Sequence, residues 1–235
     1  MTEKQICDNF RIVQEQIAAT VSDAGRSAGS VKLCAVSKFH PVEEVSAALK
    51  TGQILFGENR VQEAYAKFTE IHQAGKKFEL HIIGSLQSNK VKKAVEIASC
   101  IQSVDREDLL VEIEKQCAKL EKSIDIFFEI HTGEASKAGY ADKTALFTSL
   151  EHIEKGMYAH IKPVGLMTMA PFTDDEKAVR NSFQSVRMLK DEINERFPDV
   201  PVTELSMGMS GDYKIAIQEG STMVRIGTAL FGERC

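Results

Sequence analysis

The chain has 235 residues, 43% of them hydrophobic and 27% charged, with a formal net charge of −5. That length suits one α/β barrel or a doubly wound domain with a sizeable core. The acidic balance argues against nucleic acid or an anionic membrane as the main partner, since either would favour a basic face.

Five cysteines, Cys7, Cys34, Cys100, Cys117 and Cys235, are scattered without a CxxC pair. That pattern predicts free thiols in a reducing compartment rather than disulfides or zinc. The opening "MTEKQICDNF" is polar where a signal peptide needs an apolar stretch, and no run approaches the ~20 apolar residues of a membrane helix. The expectation is a soluble, cytoplasmic protein.

In chain order, a leading helix is predicted over about 4–24, followed by the turn "GRSAGS". Whether that helix covers the barrel floor or meets a partner is open at this point. Short β-rich apolar runs then alternate with amphipathic ones. Strands are predicted at 31–37, 53–57, 79–83, 100–104, 124–131, 161–167, 202–206 and 222–226. Helices are predicted near 42–51, 60–74, 88–98, 106–122, 141–155, 174–196 and 212–219. The acid-rich "TDDE" at 173–176 suits a helix start, and Pro198 stops that helix. Several strands are apolar without clean alternation, as parallel strands covered on both faces are. Strict alternation of eight strands with helices predicts a (β/α)8 TIM barrel, with an open doubly wound sheet as the other possibility. The reading is one domain over 1–235, with the leading helix and turn at 1–30 and the barrel at 31–235.

In such barrels the strand C-termini carry the chemistry. The predicted ends gather Lys38, Asn59, His81, Ser103 or Asp105, His131, Met167, Ser206 and Arg225 at one mouth. After the seventh strand comes "MGMSGD" (207–212), and after the eighth comes Gly227-Thr228. Loops in those two positions often bind phosphate through backbone N–H groups, with glycines permitting close approach and Ser210 and Thr228 adding hydroxyls. The alternative for "GMSGD" is that Ser210 merely caps the next helix. Lys38 ends a buried strand on that face, where lost solvation or a neighbouring cation such as Arg225 would free its amine for nucleophilic chemistry. An amine beside a phosphate site points to an imine with a phosphorylated carbonyl compound, pyridoxal 5′-phosphate (PLP) or a phosphosugar.

The segments "AVSK" (35–38), "FGENRVQE" (56–63), "HIIGSLQSNK" (81–90), "GLMTM" (165–169), "LSMGMSGD" (205–212) and "STMVRIGTALFG" (221–232) together resemble the pyridoxal phosphate homeostasis protein family. The resemblance implies an alanine-racemase-like barrel (PLP fold type III) with Lys38 holding PLP as a Schiff base. It implies Ser210, Gly227 and Thr228 at the phosphate and Arg225 near the pyridine nitrogen. Asn59 and His81 fall on segments near the ring, and Met207 and Met209 would add backbone and apolar contacts. Members often carry Trp and Pro where this chain has Leu80 and Ser85. "HTGEASKAGY" (131–140) matches the family less closely, and Ser136 and Lys137 receive no ligand role.

A guanidinium beside the pyridine nitrogen disfavours its protonation and weakens the ring as an electron sink. Racemisation on this fold also uses an acid/base from a second domain, and the chain ends three residues after Gly232. Tyr140 and Tyr213 are conceivable substitutes, but packing roles fit them better. The expectation is a monomeric, non-catalytic carrier or buffer in vitamin B6 and amino-acid homeostasis, with apo PLP-dependent enzymes as recipients. A PLP-dependent racemase and a Schiff-base aldolase are the rival readings. His72, His152 and His160 lack metal-ligand spacing, so no metal is expected.

Overall fold

The computed structural model describes residues 1–132 and 139–233; Ser136, Lys137 and Cys235 lie outside them. Eight strands occur among the described residues: β1 Lys32–Val36, β2 Leu55–Glu58, β3 Glu79–Ile82, β4 Cys100–Val104, β5 Ile124–Glu129, β6 Ile161–Met167, β7 Glu204–Ser206 and β8 Met223–Ile226. They pair in parallel in sequence order, and β8 closes on β1 with Cys34 opposite Arg225. The open-sheet alternative is thereby excluded.

Helices α1 Glu3–Asp23, α2 Val42–Lys50, α3 Val61–Gln73, α4 Val91–Ile97, α5 Glu107–Lys119, α6 Lys143–Glu154, α7 Glu176–Arg196, α8 Tyr213–Gln218 and α9 Thr228–Phe231 surround the barrel. The predicted 88–98 helix is split, because Ser88–Lys90 is a 3-10 turn that leads into α4. Nothing in the periodicity signalled α9, which is only four residues long. Local chemistry sets several boundaries. Thr2 and Gln5 form a reciprocal capping box on α1, and Asp175 accepts from the Lys177 and Ala178 N–H groups at the start of α7.

The core is the layer between sheet and helices, where outward strand residues such as Phe56, Ile101, Phe128 and Val224 meet apolar helix faces. Inward residues form a smaller cluster of Cys34, Leu55, Cys100, Phe127, Met167 and Met223. Helix α1 lies beside α2, α8 and α9 rather than across the barrel floor. Helices α8 and α9 are too short to cover the β8–β1 seam alone, and α1 completes the ring there. Phe10 packs edge-on against Phe231 at 5.5 Å, Asn9 donates to the Leu230 carbonyl, and the Tyr213 hydroxyl donates to Gln16.

Candidate functional site

Lys38 follows β1 in the four-residue turn Ser37–His40, closed by the His40 N–H donating to the Ser37 carbonyl at 3.1 Å. Phe39, the third residue of that turn, has φ of 68°. A side chain takes that left-handed conformation only at a steric cost, so turns of this form usually place glycine there. The Phe39 N–H donates to Glu63 at 2.6 Å, and the Arg60 guanidinium lies 5.0 Å from its ring centroid. Residues of α3 and its lead-in thus hold a strained backbone next to half-buried Lys38.

Behind this turn stands a buried ion pair. Glu58, the last residue of β2, accepts from Ser37 Oγ and Lys67 Nζ, each at 2.8 Å. Lys67 also donates to the Ser37 carbonyl at 2.8 Å, so α3 is bolted to the peptide that precedes Lys38. Burial pushes the Glu58 carboxyl up, and Lys67 opposes the shift. None of this was legible from spacing, since Lys67 looks like one more polar residue on an amphipathic helix.

Because β8 pairs with β1, Lys38 neighbours the last two loops rather than facing them across the mouth. Gly227 packs so close to β1 that an added Cβ would meet the Val36 carbonyl at 3.2 Å. Met209, Ser210, Gly211 and Thr228 are exposed on this rim. Gly208 needs its positive φ of 97°, and a Cβ there would meet Ala216 at 2.6 Å. Asp212 tightens the loop by accepting from the Met209 N–H at 2.6 Å. Asp212 also occupies the N-cap of α8, so Ser210 is not the cap that the alternative reading supposed.

Two expected contacts fall elsewhere. Met207 is fully buried in the outer core, because it continues the alternation in which Ser206 faces inward; its side chain belongs to packing. His81 is the third residue of β3 and does not reach the mouth. Its ring lines a cavity of about 200 Å³ at the floor with Lys32, Glu79, Asp125 and Glu204, all near strand N-termini. Burial, reinforced by Lys32 and opposed by Glu204, pulls the His81 pKa down to about 4, so the ring is neutral.

Arg225 occupies the same third position in its strand, yet its longer side chain rises. One terminal nitrogen donates to the Ser206 carbonyl at 2.6 Å and to Ser206 Oγ at 2.8 Å, and the other to the Thr168 carbonyl at 2.7 Å. Both carbonyls sit at or just past strand ends, so the guanidinium lies at the base of the mouth. Beside it, burial pushes the Glu129 carboxyl up to about 7, with Asp105 adding and Arg225 opposing. Glu129 was missed because an acid closing an apolar strand, "IDIFFE", gives no sign of facing inward.

Unsatisfied polar atoms occur just past two strand C-termini. Asn59 Oδ1 and His131 Nδ1 are buried without a hydrogen-bond partner among the described residues. A buried polar atom left in this way costs about 1–3 kcal/mol, which a bound polar molecule can recover. Gly84 allows Asn59 its position, because a Cβ there would meet Asn59 backbone atoms at 2.7 Å, and Ser103 Oγ holds the Gly84 carbonyl at 2.7 Å.

The remaining sequence candidates are structural. Tyr140 bonds Ser149 at 2.9 Å, with burial pushing its phenol up, and Tyr213 bonds α1. His152 and His160 pair with Glu107 and Glu114. Cys34 is pushed up to about 12 by burial, leaving it an unreactive thiol. Among the described residues no helix is long and apolar enough to cross a membrane.

Residues 12–235 match the family model for the alanine racemase N-terminal domain. The pyridoxal phosphate homeostasis protein of Aquifex aeolicus (strain VF5) is 36% identical over 228 residues, covering 97% of this chain and 98% of that one. That of Vibrio cholerae is 37% identical over 235 residues, covering 98% and 97%. Among solved structures, PipY of Synechococcus elongatus PCC7942 with PLP bound superposes with a TM-score of 0.81 at 35% identity, over 92% of this chain and 100% of that one. An alanine racemase from Clostridium difficile 630 shares the fold, with a TM-score of 0.72 at 16% identity, over 94% of this chain and 55% of the racemase. By its sequence over nearly its whole length and by its closed barrel, the chain belongs to the pyridoxal phosphate homeostasis protein family.

Proposed function

We propose that this chain binds PLP covalently through Lys38 at the barrel mouth and serves PLP and amino-acid homeostasis in the cytoplasm as a monomeric, non-catalytic carrier. The observation that carries the reading is the company Lys38 keeps within this family. A strained turn presents the amine, the neighbouring strand brings Gly227 and Thr228, and Arg225 lies at the mouth's base. The residues present suit the cofactor's chemistry, because Asn59 Oδ1, at the end of the strand beside β1, is buried without a partner among the described residues. Free PLP supplies an aldehyde and a phosphate, and the Lys38 amine would condense with that aldehyde and release water. Ser210 and Thr228 hydroxyls and the Gly227 backbone would take the phosphate, with Met209 at the rim. Asn59 would lie at the ring's edge, while His81 would act only from below.

The non-catalytic part rests on Arg225. A cationic donor at the pyridine nitrogen keeps that nitrogen unprotonated and limits carbanion stabilisation. Apo PLP-dependent enzymes would be the recipients of the cofactor.

An absorbance spectrum of the purified protein, before and after borohydride, is the direct test. We expect a visible-edge band, its loss on reduction, and a reduced adduct on the Lys38 peptide. Lys38→Ala should lose all of it. An adduct surviving that substitution, on Lys90 or Lys137, would overturn the assignment, and rapid α-proton exchange of an amino acid in deuterated water would overturn the non-catalytic role.

A further inference from the structure

The middle of a TIM barrel is usually filled with branched apolar residues. Here four polar side chains from four strands join across it. Arg225 of β8 donates to Ser206 Oγ of β7 at 2.8 Å, and that hydroxyl donates to Gln102 Oε1 of β4 at 2.6 Å. Gln102 Nε2 lies 2.7 Å from His81 Nδ1 of β3 and 3.1 Å from the Met223 sulfur. Gln102 and Ser206 are fully buried.

The direction of every bond is forced. A guanidinium only donates, so Ser206 Oγ accepts from it, and a thioether sulfur only accepts, so the Gln102 NH2 must face Met223 and its Oε1 must take the Ser206 hydrogen. That fixes the amide's other end on His81 and on the sulfur, both of which then accept. His81 Nδ1 is therefore the bare nitrogen, and its proton sits on Nε2 at the floor cavity. All the dipoles run from Arg225 downward, so each bond polarises the next and presents a negative end to the guanidinium. The chain contains no carboxylate, so it holds Arg225 in place without neutralising its charge.

We propose that Gln102, Ser206 and His81 are positioning residues that aim a fully charged Arg225 at the pyridine nitrogen of the bound cofactor. This rests on the reading of the mouth as the PLP site. Gln102 and Ser206 touch no cofactor themselves. They act by fixing where the guanidinium points.

The test uses full-length protein and PLP as the probe. Nitrogen-15 spectra of the PLP-free protein should show His81 as the Nε2–H tautomer. In Gln102→Glu the carboxylate accepts from the ring, so the proton should move to Nδ1. Gln102→Leu and Ser206→Ala should keep the Lys38 adduct but shift its absorbance maximum and release PLP about tenfold faster, by loss of an orienting partner of the kind described for outer-shell groups. Ser206→Thr, which restores the hydroxyl, should stay within about twofold of the parent. An Nδ1–H tautomer in the parent protein, or an unchanged maximum and release rate in both deletions, would overturn the proposal. The parent spectrum and the Ser206 pair decide the matter if Gln102→Leu fails to fold. A parent protein with no Lys38 adduct fails differently, because it removes the cofactor reading itself while leaving the tautomer measurement standing.

Discussion

The two ends of the barrel treat polarity differently, although Ser30 Oγ, just before β1 at the floor end, is also buried without a partner among the described residues. At the floor, charged side chains find one another: Lys32 pairs with Glu204 at 2.8 Å, and Glu204 also accepts from Thr222. At the strand C-termini, Asn59 Oδ1 and His131 Nδ1 are buried without partners among the described residues, Phe39 is strained, and Glu129 is held near a pKa of 7. A stable barrel needs only the first kind of end. Strain and unmet hydrogen-bonding capacity gathered at the other mark where stability has been given up for binding. The polar chain through Gln102 connects the two, with its neutral end at the floor and its charged end at the mouth.

The comparison can be broken most severely at the mouth's outer wall. Lys67→Met leaves Glu58 buried without its cation and should cost about 3–5 kcal/mol in denaturant unfolding near neutral pH. The loss should shrink as pH falls and the Glu58 carboxyl, already pushed up by burial, takes a proton. A Glu58→Gln/Lys67→Met double substitution should recover most of it. A loss equally large in the double mutant would show that Lys67 matters for packing rather than charge.

Glu129 gives the next largest effect. Its pKa in the folded chain, about 7, lies above the ordinary carboxylate value of 4.5, so the folded state binds the proton more tightly than the unfolded one. Its contribution to stability is therefore greatest below about pH 4.5 and falls as pH rises to 7. Glu129→Gln should leave stability unchanged at pH 4 and raise it by about 3 kcal/mol at pH 8. A pH-independent difference would mean that Glu129 is not the titrating group.

Most of the barrel was legible from the sequence because apolar runs and amphipathic runs alternate strictly, and all eight strands fall within two residues of where the pattern places them. Lys38 and the loops after β7 and β8 were legible too, because a charged or glycine-rich residue set directly after a buried run is conspicuous. What escaped depended on depth within the barrel. His81 and Arg225 sit at the same rank in four-residue strands, and only side-chain length separates floor from mouth. Met207 and Ser206 differ by one residue, which reverses the face. Gln102, Glu58 and Lys67 depend on partners 104, 9 and 30 residues away, distances no local pattern spans.

Asn59 separates binding from stability on one side chain. Its Oδ1 is a buried acceptor without a donor among the described residues, so Asn59→Leu should leave PLP-free stability unchanged or raise it by about 1 kcal/mol, while PLP affinity falls. A drop in PLP-free stability with unchanged affinity would mean that Asn59 is ordinary packing and that the mouth's unmet polarity has another purpose.

The smallest effect belongs to the floor and serves as the control for all the others. Lys32 is more than half exposed, with 57% of its side chain accessible, and its bond to Glu204 is screened by water. Lys32→Ala should therefore change stability by no more than about 0.5–1 kcal/mol, and less at high salt. Glu204 keeps its bond from Thr222, so the floor carboxylate is not stranded by the change. The PLP spectrum and release rate should not move, because the floor meets the polar chain through the neutral His81 ring and the uncharged Met223 sulfur. A spectrum that shifts with Lys32→Ala would show that floor charge reaches Arg225 through the barrel, and the two ends would then have to be treated as one electrostatic unit.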